Sequence, residues 1–429
     1  PGYKLDVAGF INTDQYSGYN LGGSLLGYAS STNAATIWGL GAGGQNATTS
    51  ATLKGTSAFG YHALNSLTTG GSNSAFGYET LNSDTTGGSN TAFGYQAGRQ
   101  LTTTGNNSFF GYQAGYYATT SSSNIAIGYQ ALRGDASLYS ATNPSIAIGY
   151  RALYSNTSGY HNTAIGQEAM FSNTSGIQNS AVGYNALYAN TTGGQNAAFG
   201  YGALDSNTTG GNNIAFGLNT LQSNTTASDN AAFGNSSQFR GTTAEQNVTF
   251  GTNSLYTNVT GGQNVAIGYG ALRYLTGATS TVAIGFEAGN DLNQGSNYQN
   301  NIFLGYRAGY TAGTGANNNI LIGYQAGNAL TTGANNIVLG YDIDAPSNTL
   351  SNQLTIGNLI FGTGVDGNGT TVSTGNIGIG TAAPGSKLQV STGNSEYLPS
   401  TSAFSIRKNE EGYGLFAGVS GSGNSWLQA

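Results

Sequence analysis

Residues able to do chemistry are few in this chain, and they are far apart. His62 and His161 are the only histidines, about 100 residues separate them, and cysteine is absent. Zinc sites and nucleophile–base triads gather three or more such groups in one place. Neither can be drawn here, and both histidines read as surface polar positions. Acidic pairs are the next candidates, since two carboxylates roughly 5–10 Å apart suffice to hydrolyse a glycosidic bond. Glu79, Glu168 and Glu287 share one position of a repeated word but lie many repeats apart. Asp342 and Asp344 are neighbours near the end of the repeats, and Asp135 stands alone in an insertion. Arg151 and Glu168 fall at the same position of adjacent repeats and are expected to stack as a weak ion pair. The glycine-rich words have no following helix to complete a phosphate loop. Aspartate is too scarce for calcium-binding repeats. The expectation is a non-enzymatic chain with no catalytic residue, metal or cofactor, and a polysaccharide depolymerase is the weakest alternative.

The repeated word is what must position all of these residues. "NTAFGYQAG" (90–98) is preceded by "NSAFGYETL" and followed by "NSFFGYQAG", each displaced by 17 residues. The central glycine recurs from Gly60 to Gly357, and 14 of its 17 intervals are 17 residues long. That period is too short for two-helix repeats or propeller blades. The word is β-branched and aromatic, and each unit ends in a turn sequence such as "TTGG" or "TSG". The fold class predicted is all-β: a parallel β-solenoid, or β-roll, of about 18 coils rising about 4.8 Å each, a rod segment of roughly 80 Å. Residues 57–360 carry the repeat. Residues 1–56 read as an N-terminal adapter or cap, and 361–429 as a C-terminal fibre segment.

Within the word, alternation along a strand suggests which side chains share a face. The residue before the glycine is apolar throughout (Phe59, Phe76, Phe93, onward to Ile356), and Tyr follows it in 12 of 18 coils. On this reading Phe93, Tyr95 and Ala97 fill the chain's own core, while Ala92 and Gly94 make a thin opposite face suited to close approach by another chain. A narrow coil that simply needs small residues there is the alternative. Asn90 marks a corner, where asparagine tolerates left-handed backbone and stacked amides can form a ladder. Seven residues after the glycine, Asn156, Asn173, Asn190, Asn207, Asn224 and Asn258 each open an Asn-x-Ser/Thr sequon. These read either as a threonine-rich turn or as a column of glycans.

Composition narrows the class further. Charged residues make up 7% of the chain, glycine 70 of 429 residues, and the net charge is −6. Eleven per cent aromatic content argues against disorder. No basic cluster marks a nucleic-acid surface, and no apolar run is long enough to span a bilayer. The chain starts "PGYK" without an initiator methionine, as a processed chain or fragment would.

Two resemblances follow from particular words. "NVAIGYGAL" (264–272), "NIAIGYQAL" (124–132) and "TVAIGFEAG" (281–289) resemble the repeat of trimeric autotransporter adhesin heads, in which three chains each form a β-roll. The adhesin period is shorter, so the coil here is wider. "NIGIGTAAPGSKLQV" (376–390) resembles a segment of phage tail fibres and related trimeric fibre proteins, where it often precedes an intramolecular chaperone domain. "PGYKLDV" (1–7) matches the second half of that segment. Both resemblances imply a parallel homotrimer, but neither transfers a receptor. The chain is expected to be an extracellular or virion fibre that attaches by multivalent contact, with host or cell-surface glycans as the partner that Tyr, Asn and Thr along its outside would suit. A subunit that polymerises end to end into a surface filament is the nearest alternative. Neither nucleic acid nor membrane insertion is expected.

Overall fold

A computed structural model describes residues 34–43, 53–120, 122–134, 144–290 and 297–391, together with the backbone of strands Tyr19–Leu21, Ser24–Ser30, Phe404–Arg407, Gly414–Val419 and Ser425–Gln428. The chain divides into two compact units, residues 1–243 and 244–429. The words "PGYKLDV" (1–7) and Asp135 lie outside the described residues.

In the first unit, Ala35–Trp38 pairs in parallel with Ser57–Phe59, inside the segment read from sequence as the adapter's end. From there each three-residue strand pairs in parallel and in register with its counterpart one coil on. Ser57–Phe59 meets Ser74–Phe76, which meets Thr91–Phe93, and the series runs to Ala231–Phe233. The second unit repeats the arrangement from Val248–Phe250 to Leu354–Ile356. Its last strand is then met antiparallel by Ile360–Thr363, which pairs antiparallel with Asn376–Ile379. Asn376–Ile379 lies parallel to Leu388–Val390, so the two halves of the fibre-like word pair with each other. Each unit is therefore a parallel β-solenoid with a 17-residue coil, as the period predicts.

Pairing continues beyond the short strands. Gly94 N donates to Phe76 O at 2.9 Å and Gln96 N to Tyr78 O at 2.8 Å, both toward the preceding coil. Gly98 N donates to Ala114 O at 2.9 Å, toward the following one. Turn as well as strand thus satisfies its backbone groups through its neighbours. The central glycine is required twice over. Gly94 holds φ at 136°, a region nearly closed to other residues, and a Cβ there would sit 2.4 Å from Gly111 O.

The faces of the coil are opposite to the sequence reading in part. Ala92 is fully buried, as are Ala97 and Leu81, whereas Phe93 and Tyr95 are 38% and 42% exposed. The reason is a phase shift in the alternation. Gln96, two after the glycine, is in the left-handed region at φ 56°, and the residue four after the glycine, as at Leu81, is left-handed too. Strict alternation stops at Gln96, so Ala97 turns inward although Tyr95 and Phe93 point outward. The interior is narrow and is filled by alanine from the strand and leucine from the turn.

Where the strand supplies a larger side chain, the turn gives way. Phe109 replaces the buried alanine in its coil and lies between Gly98 and Gly115, which take the place of leucine. Phe303 sits between Gly289 and Gly309 in the second unit in the same manner. The larger ring thus occupies space that leucine fills in other coils, as close packing demands.

Candidate functional surface

With alanine and leucine inside, in-register stacking lines up identical outward side chains. Phe59, Phe76, Phe93 and Phe110 form one stacked column, with centroids 4.8, 4.5 and 5.3 Å apart. Isoleucine or valine continues it at Ile127, Ile148, Ile165 and Val182. Tyr61, Tyr78, Tyr95, Tyr112, Tyr129 and Tyr150 form a second column, with successive centroids 5.0–5.3 Å apart. It is interrupted at Gln167. The second unit has a shorter version, Tyr269, Phe286, Tyr306, Tyr324 and Tyr341.

A third column lies five after the glycine and mixes cations with rings. The Arg133 guanidinium sits 5.8 Å from the centroid of Tyr116 and 5.4 Å from that of Tyr154, and Arg99 is 5.8 Å from Tyr116 on its other side. Each such contact contributes on the order of 0.5–1 kcal/mol where partly exposed. This column draws Arg151 away from the partner expected for it. Arg151 lies 5.4 Å from Tyr154 and 5.2 Å from Tyr150, and its Nε donates to Gln130 Oε1 at 3.4 Å. The expected Arg151–Glu168 pair is not formed. Among the described residues the ion pairs are Arg99–Glu79 at 2.7 Å and Arg307–Glu287 at 2.8 Å.

Glu79 also ends a directed amide ladder. Gln96 Nε2 donates to Glu79 Oε2, Gln113 Nε2 to Gln96 Oε1 and Gln130 Nε2 to Gln113 Oε1, each at 2.9 Å. A carboxylate accepts at one end and the Arg151 guanidinium donates at the other. Burial acts to raise the Glu79 carboxyl, but hydrogen bonds from Gln96 and Arg99 and the Arg99 charge outweigh it and hold it below its ordinary value.

Two further amide columns are buried. Asn90 Oδ1 accepts from the backbone N of Asn107 at 3.1 Å and from Asn107 Nδ2 at 3.1 Å, so the corner asparagines do form a ladder. The sequon asparagines form the second. Asn173 Nδ2 donates to Asn156 Oδ1 at 2.8 Å, Asn190 to Asn173 at 2.8 Å, Asn207 to Asn190 at 2.9 Å and Asn224 to Asn207 at 2.7 Å. Asn258 Nδ2 donates to Gly261 O at 2.6 Å in the second unit. All six side chains are buried and every Nδ2 is engaged, so the folded coil has no room for a glycan column at these sites. The turn reading accounts for them instead.

The same column holds a residue that the spacing of carboxylates does not single out. Asp84 is fully buried; it accepts from Gly87 N at 2.7 Å and from Asn90 Nδ2 at 3.3 Å. Burial pushes its carboxyl up to about 6 against these two hydrogen bonds. Its one signal in the sequence is aspartate at the position where later coils carry asparagine.

The remaining candidates do not assemble. The His62 ring stacks on Tyr61 at 3.9 Å, and exposed His161 meets the edge of Tyr160, several coils away. Asp342 is exposed, and Asp344 Oδ1 accepts from Ala329 N at 3.0 Å. Among the described residues no group of three or more His, Cys, Asp or Glu side chains is placed to hold a metal, and no helix is long and apolar enough to cross a membrane. Set against known protein families, curated proteins and solved structures, the chain finds no match in any of the three.

Proposed function

We propose that this chain is a non-enzymatic structural subunit of an extracellular or virion fibre, in which three parallel copies pack along their solenoids and present a repeated surface for attachment. The observation that carries this reading is the column before the central glycine. It is apolar in every coil, yet it faces outward, with Phe93 38%, Ile127 40% and Phe216 53% exposed. In the second unit the outward residue two positions earlier is apolar as well, at Val265, Val282, Ile302 and Ile320. Scattered exposed apolar residues need no explanation, but a continuous stripe does.

An aromatic ring of ~200 Å², exposed by about two-fifths, offers ~80 Å² to a partner. About ten coils then supply ~800 Å² per subunit, the size of a stable interface. Few charges oppose such contact, since only 7% of residues are charged. The face that meets another copy is therefore the Phe/Ile stripe and not the alanine column, which is inside the coil. Three copies, rather than two, are supported by the likeness to trimeric fibres and adhesin heads. Threefold repetition would turn weak contacts with glycans into avidity.

Sedimentation of the purified chain tests the reading. The expected mass is three times 43.6 kDa, and a folded species near 43.6 kDa would overturn it. Ile127→Glu together with Ile165→Glu is expected to release single chains that keep their circular dichroism.

A further inference from the structure

The tyrosine column has a chemistry that attachment does not use. Tyr61, Tyr78, Tyr95, Tyr112, Tyr129 and Tyr150 are each 40–42% exposed, and every ring lies nearly parallel to the next, within 14°. Identical phenols in register, with centroids 5.0–5.3 Å apart, bring the ortho carbons of neighbouring rings near one another. All of these contacts lie within one chain and one unit, so they do not depend on assembly.

We propose that the tyrosine column is an oxidative cross-linking site, in which a one-electron oxidant of the peroxidase class, acting with hydrogen peroxide, joins tyrosines of adjacent coils as dityrosine. In each link two phenols lose one electron and one proton apiece to the oxidant, which reduces one peroxide to two waters. The two phenoxyl radicals combine through their ortho carbons, and the ring hydrogens at the new bond move to the oxygens to restore both aromatic rings. The product has lost one H2 equivalent and contains a covalent bridge from coil to coil.

Stacking supplies what the reaction ordinarily lacks. Radical coupling is bimolecular, and held neighbours react at an effective concentration far above that of free chains. Exposed ring edges admit the oxidant and leave each ring free to swing toward the next. A stapled column closes a loop of one coil at each link, and this restricts the unfolded chain as any cross-link does.

The sequence contains its own controls. Tyr269 is separated from Tyr306 by Phe286, which stacks at 5.2 Å on one side and 5.4 Å on the other but carries no phenol. Tyr306, Tyr324 and Tyr341 stack directly, with centroids 5.0 and 4.9 Å apart. Tyr154 and Tyr188 are likewise held apart by Phe171.

The test is to treat dilute folded chain with a peroxidase and limiting hydrogen peroxide, then to measure dityrosine fluorescence and map linked peptides by mass spectrometry. The expected links join only directly stacked neighbours, namely successive tyrosines from Tyr61 to Tyr150, Tyr184 with Tyr201, and successive tyrosines from Tyr306 to Tyr341, with Tyr269, Tyr154 and Tyr188 unlinked. The variant Tyr95→Phe, which keeps the ring and therefore the fold, should abolish the links of Tyr78 and Tyr112 to position 95 and leave the link between Tyr61 and Tyr78. Chain denatured before oxidation should give scattered pairs. Links scattered in the folded chain as well, links only between molecules, or no dityrosine at all would each overturn the proposal.

Discussion

Two stretches of the first unit share one backbone and fill the same interior column in different ways. From Leu67 to Ala118 the column seven after the glycine reads Leu67, Asp84, Leu101 and Ala118, all buried. From Asn156 to Asn224 it is asparagine in every coil, also buried, each amide bonded to the next. The first stretch gains from apolar burial; the second replaces that gain with an unbroken hydrogen-bond chain. This site therefore tolerates either filling, provided neighbours agree. Asp84 is the exception, a carboxylate placed between two leucines in the column.

Mixing the two fillings within one column should have the largest effect. Asn190→Leu leaves Asn173 Oδ1 without its donor and Asn207 Nδ2 with Gly210 O alone, and should destabilise the first unit by about 1–3 kcal/mol, the cost of an unsatisfied buried polar group. Replacing Asn156, Asn173, Asn190, Asn207 and Asn224 by leucine together should cost less than the sum of single changes, because no orphan remains inside the run. Chemical denaturation of both variants checks this. Additive costs would show that the amides do not act as a chain.

Asp84 gives its stretch a pH dependence that the asparagine column lacks. Its folded-state value, about 6, lies above the ordinary 3.8, because burial favours the neutral acid. The folded state therefore binds this proton more tightly than the unfolded chain does. The stabilisation is complete below the unfolded value and is lost as pH rises through about 6. Each tenfold difference in proton affinity corresponds to about 1.4 kcal/mol, so stability should fall by about 3 kcal/mol at most between pH 4 and pH 7 on account of this residue. Asp84→Asn should flatten the profile between those limits and raise stability at neutral pH. A wild-type stability that is constant or rises with pH across this window, once other carboxylates are matched by the variant, would show Asp84 to be better solvated than its burial implies.

How much of this was legible beforehand depends on the physics behind each feature. The period, the parallel stacking and the corner amide ladder follow from repetition itself, because an in-register stack must place like on like. The inside and outside of the coil did not follow. Alternation is a property of extended chain, and nothing in "GYQAG" announces that Gln96 is left-handed, since glutamine seldom is. A hint did exist in the core: Gly98 and Gly115 flank Phe109, where most other coils of the first unit pair alanine with leucine. That exchange of volume marks Phe109 and the alanine column as interior. The Arg151–Glu168 expectation failed because sequence position gives adjacency but not competition, and aromatic rings on both sides were the stronger neighbours. Asn156 and its successors were recognised as a column, yet a sequon is silent on whether its amide is free.

The smallest effect concerns the outer ladder, and it tests whether a polar run needs closed ends outside the core as it does inside. Gln96, Gln113 and Gln130 all donate in one direction, so their aligned dipoles favour an anion at Glu79 and a cation at Arg151. Glu79→Gln keeps the acceptor but removes the charge and the Arg99 pair. Exposed pairs of this kind contribute about 0.2–1 kcal/mol, so the variant should lose less than about 1 kcal/mol. Because the Glu79 carboxyl is held below its ordinary value, its contribution is present above that value and disappears as pH falls through the folded one, opposite in sign to Asp84. High salt should erase most of the Glu79 effect and leave that of Asp84, since ions screen the outer ladder but do not reach a buried carboxyl. Equal salt sensitivity of the two would mean that the interior column is open to solvent, and the distinction between inner and outer ladders would then fail.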